Sequence, residues 1–479
     1  MDTPDEPTEP SGSSEPFEAL ETDEAFEPAP PSRLRMAIAI VVAVAVTVAF
    51  LAGAIGALFR GGGPDATSPP DPGLLAVVDA EGGLATVEAT GGSRMAFDAP
   101  GGAAQFPAWS PDGTRIAATR STGGGGGSVG VFTAGEPSAV SEIYSSPSRP
   151  PFYLSWSPDG GHVTFLTTEP DGIALRVAPA DASSDATLVQ LGAPFYWDWI
   201  DPGRLMVHVG GAGPGAYVGD VDLDGARLGD VEGAPGFFRA PAATADGGLR
   251  AYVAATPDGS GSIVMAAPDG STRHEVPVAG NVAFGFDAAG TTLAYIAPDD
   301  ATAGPTALPI GSLRIVDTAT GTSRSALGGA VVAFFWSPDG RTIAALQLVR
   351  NGAPGVDEAR LHVASADTPG PGPASAALAA FAAADAPGID AHLVFVDVAA
   401  APGPAIRSER DVRLGEVFAF QLIPYFDQYA LSHRVWSADS RSLVLPIADP
   451  DATTRIVAFP ADGSAPTPIA DGVAAFWSP

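Results

Sequence analysis

From Leu74 to the last residue, short apolar runs alternate with turn-forming clusters, and the alternation itself repeats. One phrase recurs: PAWSPDGTRIA at 107–117, LSWSPDGGHVTF at 154–165, FFWSPDGRTIAAL at 334–346 and RVWSADSRSLVL at 434–445, with a truncated AFWSP at 475–479. Worn copies stand between them: WIDPGRLMV at 199–207, ATADGGLRAYV at 243–253 and FDAAGTTLAYI at 286–296. The aromatic position of the phrase falls at Trp109, Trp156, Trp199, Ala243, Phe286, Trp336, Trp436 and Trp477. The period is about 45 residues and is broken once, by the double interval between Trp336 and Trp436.

The phrase explains itself chemically. Ser opens a tight turn, Pro presets φ at the second position, Asp takes the third, and Gly is free to adopt positive φ at the fourth. The β-branched or aromatic runs that follow, Ile116-Ala117-Ala118, Val163-Thr164-Phe165 and Ile343-Ala344-Ala345, are strand-like. A second strand pair with its own turn comes later in each period, clearest in SLRIVDTATGTSRSAL (312–327) and AYVGDVDLDGARL (216–228). Four short antiparallel strands per period make one propeller blade, and the repeated ring fills the wedge between neighbouring sheets. Residues 74–97 supply three strands and residues 473–479 a phrase strand with nothing after it, so the two ends are expected to share a blade. One blade per phrase makes eight, or seven if one worn copy is an insertion.

With its W-S-P-D-G phrase followed by a short apolar strand, the chain resembles the TolB-type, WD-like β-propeller repeats over about residues 74–479. The likeness is strong in four copies and erodes where Ala243 replaces the ring and where Asp201-Pro202 stands out of frame. It implies an all-β propeller and says little about function. The double interval calls for an insertion at 351–390, where ASAALAAFAAADA (374–386) is able to form a short helix before HLVFVDV (392–398) resumes the strand pattern. A second irregular stretch, VFAFQLIPYFDQYALSHR (417–434), precedes a phrase strand and is placed near one mouth of the ring.

Ahead of the repeats, residues 1–33 read as a disordered acidic tail, with ten Asp or Glu and no basic residue before Arg33. Residues 34–59 form the expected membrane segment: 36–59 runs without a charge, long enough to span the roughly 30 Å hydrocarbon core and too long for the apolar region of a cleaved signal peptide. Arg33 and Arg35 before the span against Arg60 after it place the N-terminus inside and the repeats outside the cytoplasm. Residues 60–73 are a Gly/Pro-rich linker.

Charge and composition narrow the chemistry. A net charge of −31 would repel a phosphate backbone, which argues against nucleic acid as a partner. All 24 basic residues are arginine, so Schiff-base chemistry and a P-loop lysine are excluded, and the lack of cysteine excludes thiolate catalysis and Cys-ligated metals. Gly126-Gly127-Ser128-Val129-Gly130 spells a hydrolase elbow but lies in a glycine run between strands, without the required helix. Asp220, Asp222 and Asp224 copy half a calcium loop, yet Val231 stands where its last acid belongs, and a D-G hairpin accounts for them. Asp317-Thr318-Ala319-Thr320-Gly321 reads as an ordinary strand turn, and the six histidines show no paired ligand spacing. No cofactor or metal is expected.

Two places carry more rings than the repeat requires. In Phe195-Tyr196-Trp197-Asp198-Trp199, strand alternation sends Tyr196 and Asp198 to the face opposite the tryptophans. In the second irregular stretch stand Tyr425, Phe426, Tyr429, His433 and Arg434. Aromatics with arginine are typical of recognition surfaces. The expectation is therefore a membrane-anchored, extracytoplasmic propeller that binds a protein, peptide or envelope component without catalysis, with ligand-binding residues Tyr196, Asp198, Tyr425, Phe426, Tyr429, His433 and Arg434. The alternative is a propeller hydrolase whose carboxylates converge on the channel mouth from different blades.

Overall fold

The computed structural model describes residues 73–479 apart from 99–101, 171, 214, 232, 258–259, 300–307, 349–387, 401–402 and 450–452. The acidic tail, the 36–59 span and nearly all of the 351–390 insertion, including the helix expected at 374–386, lie outside the described residues. Among the described residues no helix is long and apolar enough to cross a membrane.

Among the described residues, apart from three short helical turns between Phe418 and Tyr429, the regular elements are antiparallel strands. Five four-stranded sheets and one ten-stranded sheet hold them. The ten-stranded sheet is three repeats run together. Ser323–Trp336 ends one repeat and begins the next, shifting register between Val331 and Ala333, and a single pair, Leu414 with Ile447, joins the third. Among the described residues, then, eight phrase segments each lead one group of strands. They are Ala103–Trp109, Pro151–Trp156, Phe195–Asp201, Ala242–Ala243, Ala283–Phe286, the end of Ser323–Trp336, the bridge from Trp436 to Leu443, and Ala474–Trp477.

The expected sharing of a sheet by the two ends is seen directly. Leu74–Val78 pairs with Leu84–Glu88 on one side and with Ala474–Trp477 on the other, in the register Leu75 to Trp477 and Val78 to Ala474. Two further bonds lock the junction: Leu74 N donates to Ser478 Oγ at 3.0 Å, and Ser478 N to Leu74 O at 2.8 Å.

The phrase turn is built as its residues dictate. In the copies at 110, 157, 337 and 437, the Ser hydroxyl donates to the Asp carboxylate at 2.5–2.6 Å. The same Ser oxygen accepts the backbone N–H five residues on at 2.9–3.0 Å, stitching the turn to the next strand. Those serines are almost wholly buried, so their polar atoms must be satisfied internally. The fourth position has positive φ, +69° at Gly160; where Ser440 takes it, φ is +61° and its hydroxyl accepts Asp339 N at 3.0 Å from the neighbouring repeat.

The phrase rings do more than fill space. The indole N–H of Trp156 donates to Ala108 O at 2.9 Å, that of Trp109 to Phe476 O at 3.0 Å, that of Trp336 to Gly285 O at 3.1 Å and that of Trp436 to Phe335 O at 2.9 Å. In every case the acceptor is the residue just before the aromatic position of the preceding repeat. Trp199 and Trp477 lack this bond within the described residues. The carbonyls at the corresponding places, Ser155 and Val435, already accept Thr164 Oγ1 and Val444 N.

Deleting residues 473–479 strands the open edge of Leu74–Val78 and removes Phe476 and Trp477, each 1 % exposed. Losing two such rings costs about 3–5 kcal/mol apiece against a typical total of about 5–15. The truncated chain is expected to aggregate or to melt far below the parent in a thermal scan; an unchanged melting curve would refute the closure.

Candidate functional site

Residues 417–434 carry apolar side chains with no 2.0 or 3.6 period, and they fold as a π-helical turn (Phe418–Leu422), a 3-10 turn (Ile423–Tyr425) with Pro424 at its start, and a single α-turn (Phe426–Tyr429). This compact segment is inserted among the phrase strands. Phe426 packs on Phe334 and Phe335. Tyr429 lies 5.1 Å from both Phe106 and Tyr153, and His433 lies 4.8 Å from Phe476. Phe106 and Tyr153 reach it because each occupies a bulge three residues before its phrase Trp, at φ +41° and +45°, which turns the ring out of the strand.

Gln428 ties the plug down. Its carboxamide accepts Trp197 N at 3.0 Å, donates to Trp197 O at 2.7 Å and donates to Tyr153 Oη at 2.9 Å, while Tyr153 O–H donates to Gln428 O at 2.8 Å. Stranding such buried partners costs about 1–3 kcal/mol each. His433 Nε2 donates to Phe106 O at 2.9 Å, leaving Nδ1 to accept from Ser432 Oγ at 2.6 Å; burial pushes its pKa down to about 4, so the ring is neutral.

Above the plug opens a cavity of about 620 Å³ at the mouth that carries the phrase turns, with Pro111, Pro158 and Pro338 at its rim. Its walls are largely aromatic, including Trp156, Trp199, Trp336 and Phe286, and its polar residues are Asp198, Asp287, Ser337, Asp427, His433 and Arg434. Asp198 accepts Trp199 N at 2.8 Å and Ala243 N at 2.8 Å, yet burial still pushes its pKa up to about 7. Asp427 is also held above the usual carboxylate range by burial, with Arg239 opposing; its Oδ2 accepts Ala240 N at 3.3 Å. Asp287 accepts Thr291 N, Thr291 Oγ1 and Thr292 N at 2.7–3.1 Å. Arg434 is the single Arg of the lining. Its side chain meets solvent in the cavity, while the surrounding protein desolvates the guanidinium enough to lower its pKa.

The seven residues singled out from sequence divide accordingly. Asp198, Phe426, His433 and Arg434 come together on the cavity wall. Tyr196 and Tyr425 are half-buried away from that lining, beside Arg239, whose guanidinium sits 5.7 Å from the Tyr425 ring centroid. Burial pushes Tyr196 up to about 12. Phe426 and Tyr429, expected on an exposed aromatic surface, are 1 % and 8 % exposed instead, because the phrase strands present rings for them to pack against. The alternation in Phe195–Asp201 holds: Trp197 and Trp199 are buried, Tyr196 and Asp198 partly so. Sequence reasoning missed Gln428, Tyr153 and Arg239; nothing in a lone Gln or a strand Tyr signals a bond across 275 positions.

The other motifs resolve into strand chemistry. Gly126–Thr133 is a strand, and Asp222 Oδ1 accepts Asp224 N and Ala226 N in a hairpin turn while Asp220 pairs with Arg250 at 2.6 Å. Among the described residues no group of His, Asp and Glu is placed to hold a metal.

Against solved structures, the chain is similar to the dihydro-heme d1 dehydrogenase NirN in complex with DHE, at 11% identity over 88% of this chain and 78% of that one, with a TM-score of 0.50. Its neighbours also include TolB from Acinetobacter baumannii (10% identity, 78% of this chain and 66% of that one, TM-score 0.35) and a putative TolB from Agrobacterium tumefaciens (20%, 56% and 94%, TM-score 0.34). The fold is a β-propeller. At these identities the likeness extends to fold and no further. No family model and no curated relative matches the sequence.

A carboxyl held near 7 binds its proton more tightly folded than unfolded, so it withdraws stability as pH climbs from about 4, its unfolded value, to about 7. His208 and His433, both lowered by burial, act with the opposite sign below about 6.5. The informative quantity is thus a difference: the melting temperature of Asp198→Asn relative to wild type should rise between pH 5 and pH 8. A flat difference would place the Asp198 carboxyl in its ordinary range.

Proposed function

We propose that this protein is an eight-bladed propeller, closed by its C-terminal strand and tethered through residues 36–59 to the outer face of a cytoplasmic membrane, which binds a protein, peptide or envelope ligand at the phrase-turn mouth. The observation that carries the reading is the cavity itself: one end of the axis is floored by a packed plug, leaving a concave, mostly aromatic space of about 620 Å³ with a few polar groups, the make-up of a ligand site. The plug does place Ser432 Oγ 2.6 Å from His433 Nδ1, but burial lowers that imidazole to about 4 and leaves it a weak base. The charge-free 36–59 span and its flanking arginines support the tether.

A propeller hydrolase is the second reading, favoured by Asp198 and Asp427 lining one cavity with raised pKa values. Against it, both Asp198 oxygens and one of Asp427's already accept backbone N–H groups.

Two experiments test the favoured reading. Protease added to intact cells should remove the propeller and spare the acidic tail; a protected propeller overturns the topology. A photo-crosslinking residue at Ala288 or Ala430, both exposed on the cavity lining, should trap a ligand in native membranes, whereas one at Leu228, 52 % exposed on an outer strand, should not. Equal trapping at all three, or none at the mouth, rules out the mouth as the binding face.

A further inference from the structure

Resting on the mouth as the binding face, we infer that the cavity takes an apolar or aromatic group ending in a carboxylate, which pairs with the Arg434 guanidinium while its apolar body lies against Trp336 and Phe286. Three observations converge on this chemistry. Arg434 is the single arginine on the lining, and among the described residues its side chain makes no ion pair or hydrogen bond. The carboxylates that share the cavity do not serve it: Asp198 and Asp287 are bonded to backbone N–H groups of their own turns and strands, and Asp427 faces Arg239. Arg434 therefore presents a solvent-facing guanidinium to the cavity with no carboxylate bonded to it, in a chain of net charge −31, and a ligand carboxylate is the partner it is free to take.

The apolar half follows from burial. Trp336 and Phe286 are only partly buried although both occupy the ring position of the phrase, and both face the cavity. Trp336 is held by its bond to Gly285 O at 3.1 Å, so its ring is presented rather than mobile. A planar guanidinium matches a carboxylate in a two-bond fork, which an amide cannot reproduce. The volume of about 620 Å³ suits either a small organic acid or the last residues of a peptide, two sources of the same chemistry.

The full chain, held in lipid nanodiscs, would be titrated calorimetrically at pH 6 with 3-phenylpropionate and with its amide, and in parallel with acetyl-Ala-Ala-Phe carrying a free or an amidated C-terminus. Each acid is expected to bind at least tenfold more tightly than its amide. Arg434→Gln should reduce that ratio to about one without shifting the thermal midpoint, since the side chain has no partner to lose, and Arg434→Lys should keep part of it. Preference for the small acid over the peptide assigns a metabolite-sized ligand; the reverse assigns a chain end. Equal binding of acid and amide, or a preference that survives Arg434→Gln, overturns the carboxylate assignment while leaving the cavity as a binding site. No binding of any probe overturns the assignment, and crosslinking at Ala288 and Ala430 then decides separately whether the mouth binds at all.

Discussion

The indole N–H that reaches from one repeat to the carbonyl before the aromatic position of the preceding repeat is the directional bond between neighbouring sheets at Trp109, Trp156, Trp336 and Trp436. Each repeat alone has an apolar face it cannot bury, and packing between sheets is non-directional. A donor in the middle of that apolar contact needs its one acceptor, which sets the angle and register of neighbouring sheets. From Ala108 to Trp156 and from Phe335 to Trp436 the geometry is the same, although the second pair is separated by 101 positions and the insertion. The bond from Trp109 to Phe476 repeats it between strands from the chain's two ends, so that junction uses the same device as those at Trp156, Trp336 and Trp436.

A second constraint acts along the axis. Phrase strands that converge leave a space lined by whatever their early residues present, and here Phe106, Tyr153 and Phe334 present rings. The 417–434 segment fills that space, and Gln428, rather than any ring, fixes its position through Trp197 and Tyr153. Filling the axis has a consequence for chemistry. It floors the cavity, and it sets the surroundings in which burial raises the Asp198 carboxyl to about 7 and the solvent-facing Arg434 guanidinium has its pKa lowered. Stability and site are thus products of the same plug.

Much of this architecture was legible in the chain. The Ser-Pro-Asp-Gly turn needs only local chemistry, and its hydroxyl-to-carboxylate bonds form within each copy. The strands after it, the pairing of the two ends and the alternation in Phe195–Asp201 follow from periodicity, because a side-chain period of two and a repeat of constant length are properties of sequence alone. Asp198, Phe426, His433 and Arg434 were legible as residues in excess of the repeat.

What tertiary structure alone decided is which of those residues meet, and on which side of a packed wall. Phe426 and Tyr429 look like surface rings until Phe334, Phe335, Phe106 and Tyr153 are brought against them from elsewhere in the chain. The bulges that turn Phe106 and Tyr153 inward carry no signature, since positive φ at an aromatic residue is imposed by its surroundings rather than preferred by it. Gln428, a residue of no evident role, became the centre of a network spanning 275 positions, and Arg434 acquired its meaning only from the absence of a partner among the described residues. Local turns and periodic strands are written in neighbouring residues; burial, isolation of a charge and the shape of a cavity are sums over distant ones, and only the folded chain performs them.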